Sequence, residues 1–471
     1  MAPFQYTPLG GAPGDRMIRL LKLYPSSNPS APLQCDLFHT QLGSCAFEAV
    51  SYSWGSSKTP HVIICNGDFL PLGDNILGAL IHFQSRNEGD RPRTLWVDAI
   101  CTNQKDNDEK NQQVQMMRDI YAEAEMTLIW LGPGNMTSLE AFGFARGLLS
   151  TLPPETLIAL SLANSRDYGS QVSDLIERLV KVSTRSSREY GLSQSDGLYS
   201  ILQVLERRWF TRVWVIQELA MAKSAQVICG SDQMPWEHFH LAVKATLSIF
   251  ASRERPELQA YGSPLMMVFH PGGSPLQFYA NRGNEGFEGF GKRLIMSLND
   301  TRSGVQAGNL PNLSHALLKH YAADATNPLD HVYAILGFTS TNSLPAEDRL
   351  RIDYSLDATT VFKEATLHCI ETEVSLDVLM TLGSSKEESM DGLPSWVPDW
   401  SSFDPSFTPL GLYSRYSCSK DSTPEVRFIE EDNVLVISGH TIDRIGTPSE
   451  PLPEYVIETD YNAVKRAKEK F

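Results

Sequence analysis

The chain has 471 residues, with 56 Asp plus Glu against 40 Lys plus Arg and a formal net charge of −16. A phosphate backbone is bound by clustered cations that displace counterions, so this balance argues against nucleic acid as a main partner. A hydrophobic fraction of 42% with 9% aromatics is that of a folded globular chain, and the length suits two or three structural units at about 100 to 200 residues each. No stretch approaches the roughly 18 consecutive apolar residues of a spanning helix. The Pro- and Gly-rich start, Met1 to Met17, lacks the apolar centre of a secretory signal. Cys35, Cys45, Cys65, Cys101, Cys229, Cys369 and Cys418 contain no C-x-x-C pair and are odd in number, which points to free thiols in a reducing cytoplasm.

An apolar segment, Met17 to Leu23, leads into a Pro/Ser loop from Pro25 to Pro32. Phe47 to Gly55 is a half-alternating, β-rich run, and His61 to Cys65 is a second strand that ends on the turn dipeptide Asn66-Gly67. Asp74 or Asn75 caps a helix whose Ile76, Leu77, Leu80 and Phe83 recur at helical spacing. Thr94 to Ile100 is nearly continuous apolar sequence carrying one acid, Asp98, which suits a strand buried on both faces of a parallel sheet. A helix starting near Asp106 or Asp108 carries Val114, Met117, Tyr121 and Ala124 on one stripe, and Met126 to Leu131 is another short strand closed by Gly132-Pro133-Gly134. This alternation defines an α/β unit.

Further on, Asn135 to Gly197 is helical and polar and reads as an insertion, while Arg207 to Ala220 is an aromatic and cationic entry to a helix. Gln226 to Cys229 is a strand, Leu393 to Trp400 is extended because of its prolines, and Val426 to Ile442 is strand-like. These readings give an N-terminal segment over 1–44, a domain over 45–250 with a helical insertion at about 135–197, a Gly/Pro-rich boundary over 251–299 and a mixed α+β region over 300–471. The charged, abrupt end, Ala463 to Phe471, suggests a natural chain that continues.

Gly286 to Arg293 fits G-x-x-x-x-G-K but has Arg293 at the position of the Mg-binding hydroxyl, and Glu288 would repel phosphate, so it reads as a Gly-rich loop. Neither a dinucleotide-binding G-x-G-x-x-G nor a G-x-S-x-G elbow occurs. Glu237, His238 and His240 sit close together, and alternate histidines on a strand could share a metal; with no third ligand at useful spacing, this is weighed against an ordinary polar surface or a satisfied histidine. Asp98, at the carboxyl end of a buried strand, lies where ligands bind in open α/β sheets, or it caps the turn with Asn103. Glu218, one helical turn beyond Trp214, emerges beside an apolar stripe. It is either a partly desolvated carboxylate or a helix-entry acid paired with Arg212 or Arg208.

Taken together, Phe47 to Gly55, Leu95 to Gln104, Asp108 to Tyr121, Trp130-Leu131-Gly132 and Arg208 to Glu218 closely resemble the fungal heterokaryon-incompatibility (HET) domain. The resemblance covers about residues 45 to 222, with similar flanks in Asp330 to Gly337 and Leu393 to Trp400. The family usually has isoleucine where Thr102 stands and arginine where Lys110 stands. The resemblance implies a role in fungal nonself recognition and programmed cell death. HET domains are remotely similar to TIR domains, so the implied fold is a TIR/flavodoxin-like, mostly parallel sheet flanked by helices. The TIR pattern Trp-x-x-x-Glu-Leu matches Trp214 to Leu219, and its first-strand motif compares with Ser51 to Gly55.

That likeness makes Glu218 the catalytic candidate for hydrolysis of NAD to nicotinamide and an ADP-ribose product. The chemistry agrees: nicotinamide departs neutral from a cationic ring, so one carboxylate suffices where ordinary glycosidases need two. Around it, Tyr52 and Trp54 would stack on a base ring, Arg212 would meet the diphosphate, and Asp98, with Ser53 and Trp214, would complete the substrate site. NAD is then a substrate, and no cofactor or metal is called for. The rival reading is a noncatalytic signalling module that self-associates or binds a partner, with Tyr52, Trp54, Trp96, Trp209 and Trp214 as core aromatics.

Overall fold

The computed structural model describes residues 2–11, 14–26, 32–55, 61–85, 91–162, 194–253, 287–382, 390–402, 423–431 and 433–439. Nine strands form one sheet: β1 (Met17–Leu23), β2 (Gln34–Gln41), β3 (Glu48–Tyr52), β4 (His61–Cys65), β5 (Asp68–Leu72), β6 (Arg93–Trp96), β7 (Met126–Trp130), β8 (Ala225–Cys229) and β9 (Asp232–Pro235). Their spatial order is β5-β4-β2-β1-β6-β3-β7-β8-β9. At the centre β6, β3, β7 and β8 are mutually parallel, and β2 with β4 is a further parallel pair. The remaining neighbours, β1 with β2, β1 with β6, β4 with β5 and β8 with β9, are antiparallel. The sheet is therefore mixed, and the expectation of a mostly parallel sheet describes its centre.

Connection length explains two of the antiparallel pairs, β4 with β5 and β8 with β9, because a two-residue turn can join only antiparallel strands. Asn66-Gly67 makes that turn between β4 and β5, both residues at positive φ, 49° and 83°. Gly230 opens the turn between β8 and β9, where a Cβ would sit 2.4 Å from the Gly134 nitrogen. The parallel strands instead need long crossovers that supply helices. Both β3 (EAVSY) and β7 (MTLIW) are buried from their second residue onward, as strands covered on both faces must be.

The helices are α1 (Asp74–Ser85), α2 (Asp98–Cys101), α3 (Asn107–Glu123), α4 (Met136–Thr151), α5 (Pro154–Leu162), α6 (Gln194–Val204), α7 (Trp214–Met221), α8 (Trp236–Arg253), α9 (Phe287–Gln306), α10 (Leu313–His320), α11 (Asp330–Leu336) and α12 (Ala358–Glu373). Local chemistry fixes several starts. The Asp106 carboxylate accepts from the Glu109 N–H at the head of α3, and Asn135 forms a reciprocal capping box with Ser138 at the head of α4. The run after β6 departs from expectation: the strand stops at Trp96, and Asp98–Cys101 is a single helical turn. The Tyr6 hydroxyl and Arg19 take up the carbonyls of Ile100 and Cys101, so the turn's backbone is satisfied away from the ladder. Glu237, His238 and His240 lie on helix α8 rather than on a strand, and the stretch from Phe287 is the start of helix α9 rather than a loop. The expected boundary over 254–286 and the middle of the expected insertion, 163–193, lie outside the described residues.

Among the described residues two hydrophobic clusters result. One gathers the sheet around Leu21, Val50, Tyr52, Trp96 and Tyr121; the other gathers the helices around Phe144, Trp209, Leu219, Trp236, Tyr333 and Phe362. Half-buried Trp214 and Met221, at the two ends of α7, pack against both. A separate hairpin, β10 (Val426–Ile429) with β11 (Val434–Ile437), accepts the Trp396 indole N–H on the Asn433 carbonyl at 2.9 Å.

Candidate functional site

From β3 the chain runs out to β4 and β5 at the sheet edge and returns through α1 to β6 on one side of β3, and from β6 it crosses to β7 on the other. In open α/β sheets the crevice at the carboxyl ends of strands whose connections part in this way is the usual ligand position. The carboxyl end of β3 is Ser51-Tyr52, followed by Ser53-Trp54.

Side chains alternate along a strand, and Ser51 points down to the floor of this region. Its hydroxyl donates a short hydrogen bond to Glu218 Oε2 and accepts the Trp209 indole N–H at 2.7 Å. Glu218 is 2% exposed. Helix α7 places it there because the helix is enclosed on nearly every face: Val215 through Ala220 are all buried. The entry to α7 is pinned by backbone bonds to Asp324, from Val213 N–H to its carbonyl at 2.9 Å and from its N–H to the Thr211 carbonyl at 2.6 Å. Its end is closed by Arg302, whose guanidinium donates to the carbonyls of Leu219 at 2.8 Å and Ala222 at 2.5 Å.

Burial pushes the Glu218 carboxyl up from 4.5 to about 7. The Arg212 charge and the Ser51 hydrogen bond pull the other way, and the Asp98 charge adds to the rise. Arg212 is not paired with Glu218 through a hydrogen bond; its Nη1 donates to the Tyr52 carbonyl. The entry residue Arg208 is exposed. Tyr52 is buried, and burial with the neighbouring Asp98 carboxylate raises its hydroxyl well above the ordinary range.

The rim is built differently. The Trp54 indole N–H donates to Asp98 Oδ2 at 3.0 Å while the ring stays 47% exposed. Asp98 Oδ1 accepts from the Ala99 N–H at 2.7 Å. The Asn75 amide donates to both the carbonyl and the hydroxyl of Ser53, at 2.7 and 3.1 Å, and its oxygen accepts the Trp130 indole N–H at 3.0 Å. Trp214 is half-buried with its indole against the Asp330 carboxylate.

The residues singled out from sequence thus lie around one strand end, in two tiers: an open rim of Ser53, Trp54 and Asp98 above a closed floor of Glu218 and Ser51, with Tyr52 and Arg212 between. Sequence reasoning missed Ser51 as the partner of Glu218, Asn75 as the brace of Ser53, and Asp330 beside Trp214. Strand parity separates Ser51 from Tyr52 but does not say which face meets α7. A polar cavity of about 200 Å³, lined by Asn135, Thr137, Gln203, Val204, Glu206 and Arg207, opens elsewhere, near the head of α4. Among the described residues no cluster of His, Cys, Asp or Glu is able to hold a metal ion, and no helix is long and apolar enough to cross a membrane. Buried His240 is pushed down to about 3 by desolvation, with the Lys244 charge adding to it.

Residues 47–218 match the family model for heterokaryon incompatibility protein (HET), so that stretch of the chain is similar to this family. It is also 26% identical over 436 residues to heterokaryon incompatibility protein 6, OR allele, of Neurospora crassa, an alignment covering 84% of this chain and 59% of that protein. The chain therefore spans less than two thirds of that relative's length. No solved structure matches it.

Proposed function

We propose that this chain is an effector of fungal nonself recognition and programmed cell death, and that the Glu218 cluster is a site for cleaving NAD to nicotinamide and an ADP-ribose product. The observation that carries the chemical part is Glu218 itself. A carboxyl group is buried at the end of the central parallel strand, bonded to a hydroxyl rather than a guanidinium, with its ionisation displaced to about pH 7. Such a group costs stability, and strongly displaced acids of this kind concentrate at functional sites. The order in which the chain visits the parallel strands, second-first-third-fourth across the sheet, supports the flavodoxin-like and TIR-like reading. Helices α4 and α5 within 135–162 are consistent with the insertion.

In this reading the Glu218 carboxylate stabilises positive charge developing on the ribose as neutral nicotinamide departs. Arg212 acts from the side by favouring the ionised form, and while its Nη1 holds the Tyr52 carbonyl its other N–H groups are the ones to meet the diphosphate. Exposed Trp54 offers a face for a flat cationic ring, and Asp98 offers a carboxylate to ribose hydroxyls. The floor becomes accessible when the Ser53-Trp54 rim lifts, a change that self-association in the cytoplasm would favour by selecting the open form. Because the active form is the carboxylate, turnover should rise with pH through about 7.

A second reading, a noncatalytic signalling module that self-associates or binds a partner protein, is favoured by one observation: Glu218 is closed off at 2% exposure beneath packed side chains. Nicotinamide release from NAD, measured over a range of protein concentrations for the wild type and Glu218→Gln, decides between them. Turnover that Glu218→Gln abolishes supports the site, and turnover that survives the substitution moves the chemistry elsewhere. Absence of both turnover and calorimetric NAD binding at every concentration favours the module.

A further inference from the structure

The matched family region ends at Glu218, but the surroundings of Glu218 do not. Asp330 opens helix α11, where an acid is favoured by the helix dipole alone. Its carboxylate nevertheless turns toward the head of α7. It accepts the Tyr354 hydroxyl at 2.7 Å, lies near the Trp214 indole, and faces the charges of Lys110 and Arg212. Tyr354 is itself fixed to helix α3: its N–H donates to Asn111 Oδ1 at 3.0 Å, and the Lys110 ammonium lies 3.5 Å from the centre of its ring. A T-shaped contact with Tyr333, centroids 5.3 Å apart, holds the ring from the other side. One carboxylate from the C-terminal region thus bridges α3, the head of α7 and the segment around Tyr354.

We propose that Asp330 and Tyr354 are positioning residues of the candidate site, holding Trp214 and Arg212 where Arg212 acts on the Glu218 carboxyl, an inference that rests on the reading of Glu218 as the reacting group. The site is then completed by residues more than 100 positions beyond the matched region. The groups facing Glu218 are Arg212 at the helix entry, Ser51 and Tyr52 on β3, Asp98 on the turn after β6 and Tyr121 on α3. Among them Arg212 is the cation, so displacing it leaves burial less opposed.

The test uses the full chain and follows the protonated Glu218 carboxyl by difference infrared spectroscopy, assigned through its loss in Glu218→Gln. In the wild type its titration midpoint falls near 7. In Asp330→Asn the midpoint moves up by about one pH unit, the size expected when an opposite charge withdraws from a carboxylate. Tyr354→Phe moves it in the same direction, and neither change appears in an Arg212→Gln background, because the coupling runs through that guanidinium. A midpoint that stays put in Asp330→Asn while the thermal transition falls overturns the proposal, as does a shift that persists in full without Arg212. Should Asp330→Asn fail to fold, Tyr354→Phe, which removes a single oxygen, tests the same coupling: an upward shift supports it and an unmoved midpoint overturns it. If the wild type shows neither NAD turnover nor NAD binding at any concentration, the NAD reading fails while the midpoint comparison still judges Asp330.

Discussion

Two buried glutamates serve this fold in opposite ways. Glu109, 7% exposed on α3, meets 1%-exposed Arg19 in a bidentate pair at 2.5 and 2.8 Å and also accepts the Asn103 N–H at 2.6 Å. Arg19 in turn donates to the carbonyls of Cys101 and Thr7 and stacks over Tyr6. Glu218, on α7, has a hydroxyl for a partner and leaves its nearest guanidinium engaged with a carbonyl. The first arrangement satisfies nearly every lone pair and fastens the N-terminal segment and the turn carrying Asp98 to the sheet. The second leaves a carboxyl whose charge state is undecided near neutrality. A buried acid used for construction is surrounded by donors, whereas Glu218 is left short of them.

The harshest way to break the comparison is Glu109→Ala, which strands a buried guanidinium. It should cost about 3 to 5 kcal/mol in urea unfolding, whereas Arg19→Met with Glu109→Leu should recover much of that. A small loss in Glu109→Ala would mean that the pair is dispensable. Next comes Glu218→Gln. The folded carboxyl titrates near 7 against 4.5 when unfolded, so protonation favours the fold. That contribution is complete below about pH 4.5 and is lost as pH rises through 7. At about 1.4 kcal/mol per pH unit, the amide variant should be more stable than wild type at pH 8 by on the order of 3 kcal/mol, and equal to it near pH 4. Parallel melting curves across pH check this, and a constant difference would remove the contrast.

A gentler probe is Ser51→Ala, which deprives Glu218 of a donor and Trp209 of an acceptor. It should cost about 1 to 3 kcal/mol, more at pH 8 than at pH 5, because the lost bond favours the ionised carboxyl. Smallest of all is Trp54→Ala on the exposed rim. Chemical denaturation should find stability within about 0.5 kcal/mol of wild type, while calorimetry finds NAD binding weakened; a large loss of stability would make Trp54 part of the frame.

Most of the central sheet was legible in sequence, because its strands are apolar runs of the right length bounded by turn residues, as Met126 to Leu131 and Asn66-Gly67 show. The segment Gln34–Gln41 was not legible: it alternates only loosely and includes Asp36, His39 and Thr40, and it becomes a strand by pairing along the whole of β1. The short β9, with Pro235 at its end, depends in the same way on β8. His240 was misplaced on a strand because alternate histidines obscured the helical recurrence of Trp236, Phe239 and Val243, which pack inward. At the site, local spacing put Glu218 beside an apolar stripe but did not reveal full enclosure, which is imposed by Asp324, Arg302 and Gly337. The last presses so close that a Cβ there would lie 1.9 Å from Gln217 Oε1.

That enclosure has a consequence for synthesis. Helix α7 leaves the ribosome well before Arg302 and Asp324, the residues that close its two ends, and translation at about 5 to 20 residues per second makes that interval several seconds long. During it the backbone groups at the two ends of α7 lack the partners that Arg302 and Asp324 later supply, and a helix of eight residues is not stable without such tertiary support. A chain interrupted before residue 302 would stay in that condition for good. The closure of helix α7 is therefore tied to synthesis of the C-terminal residues that hold its two ends.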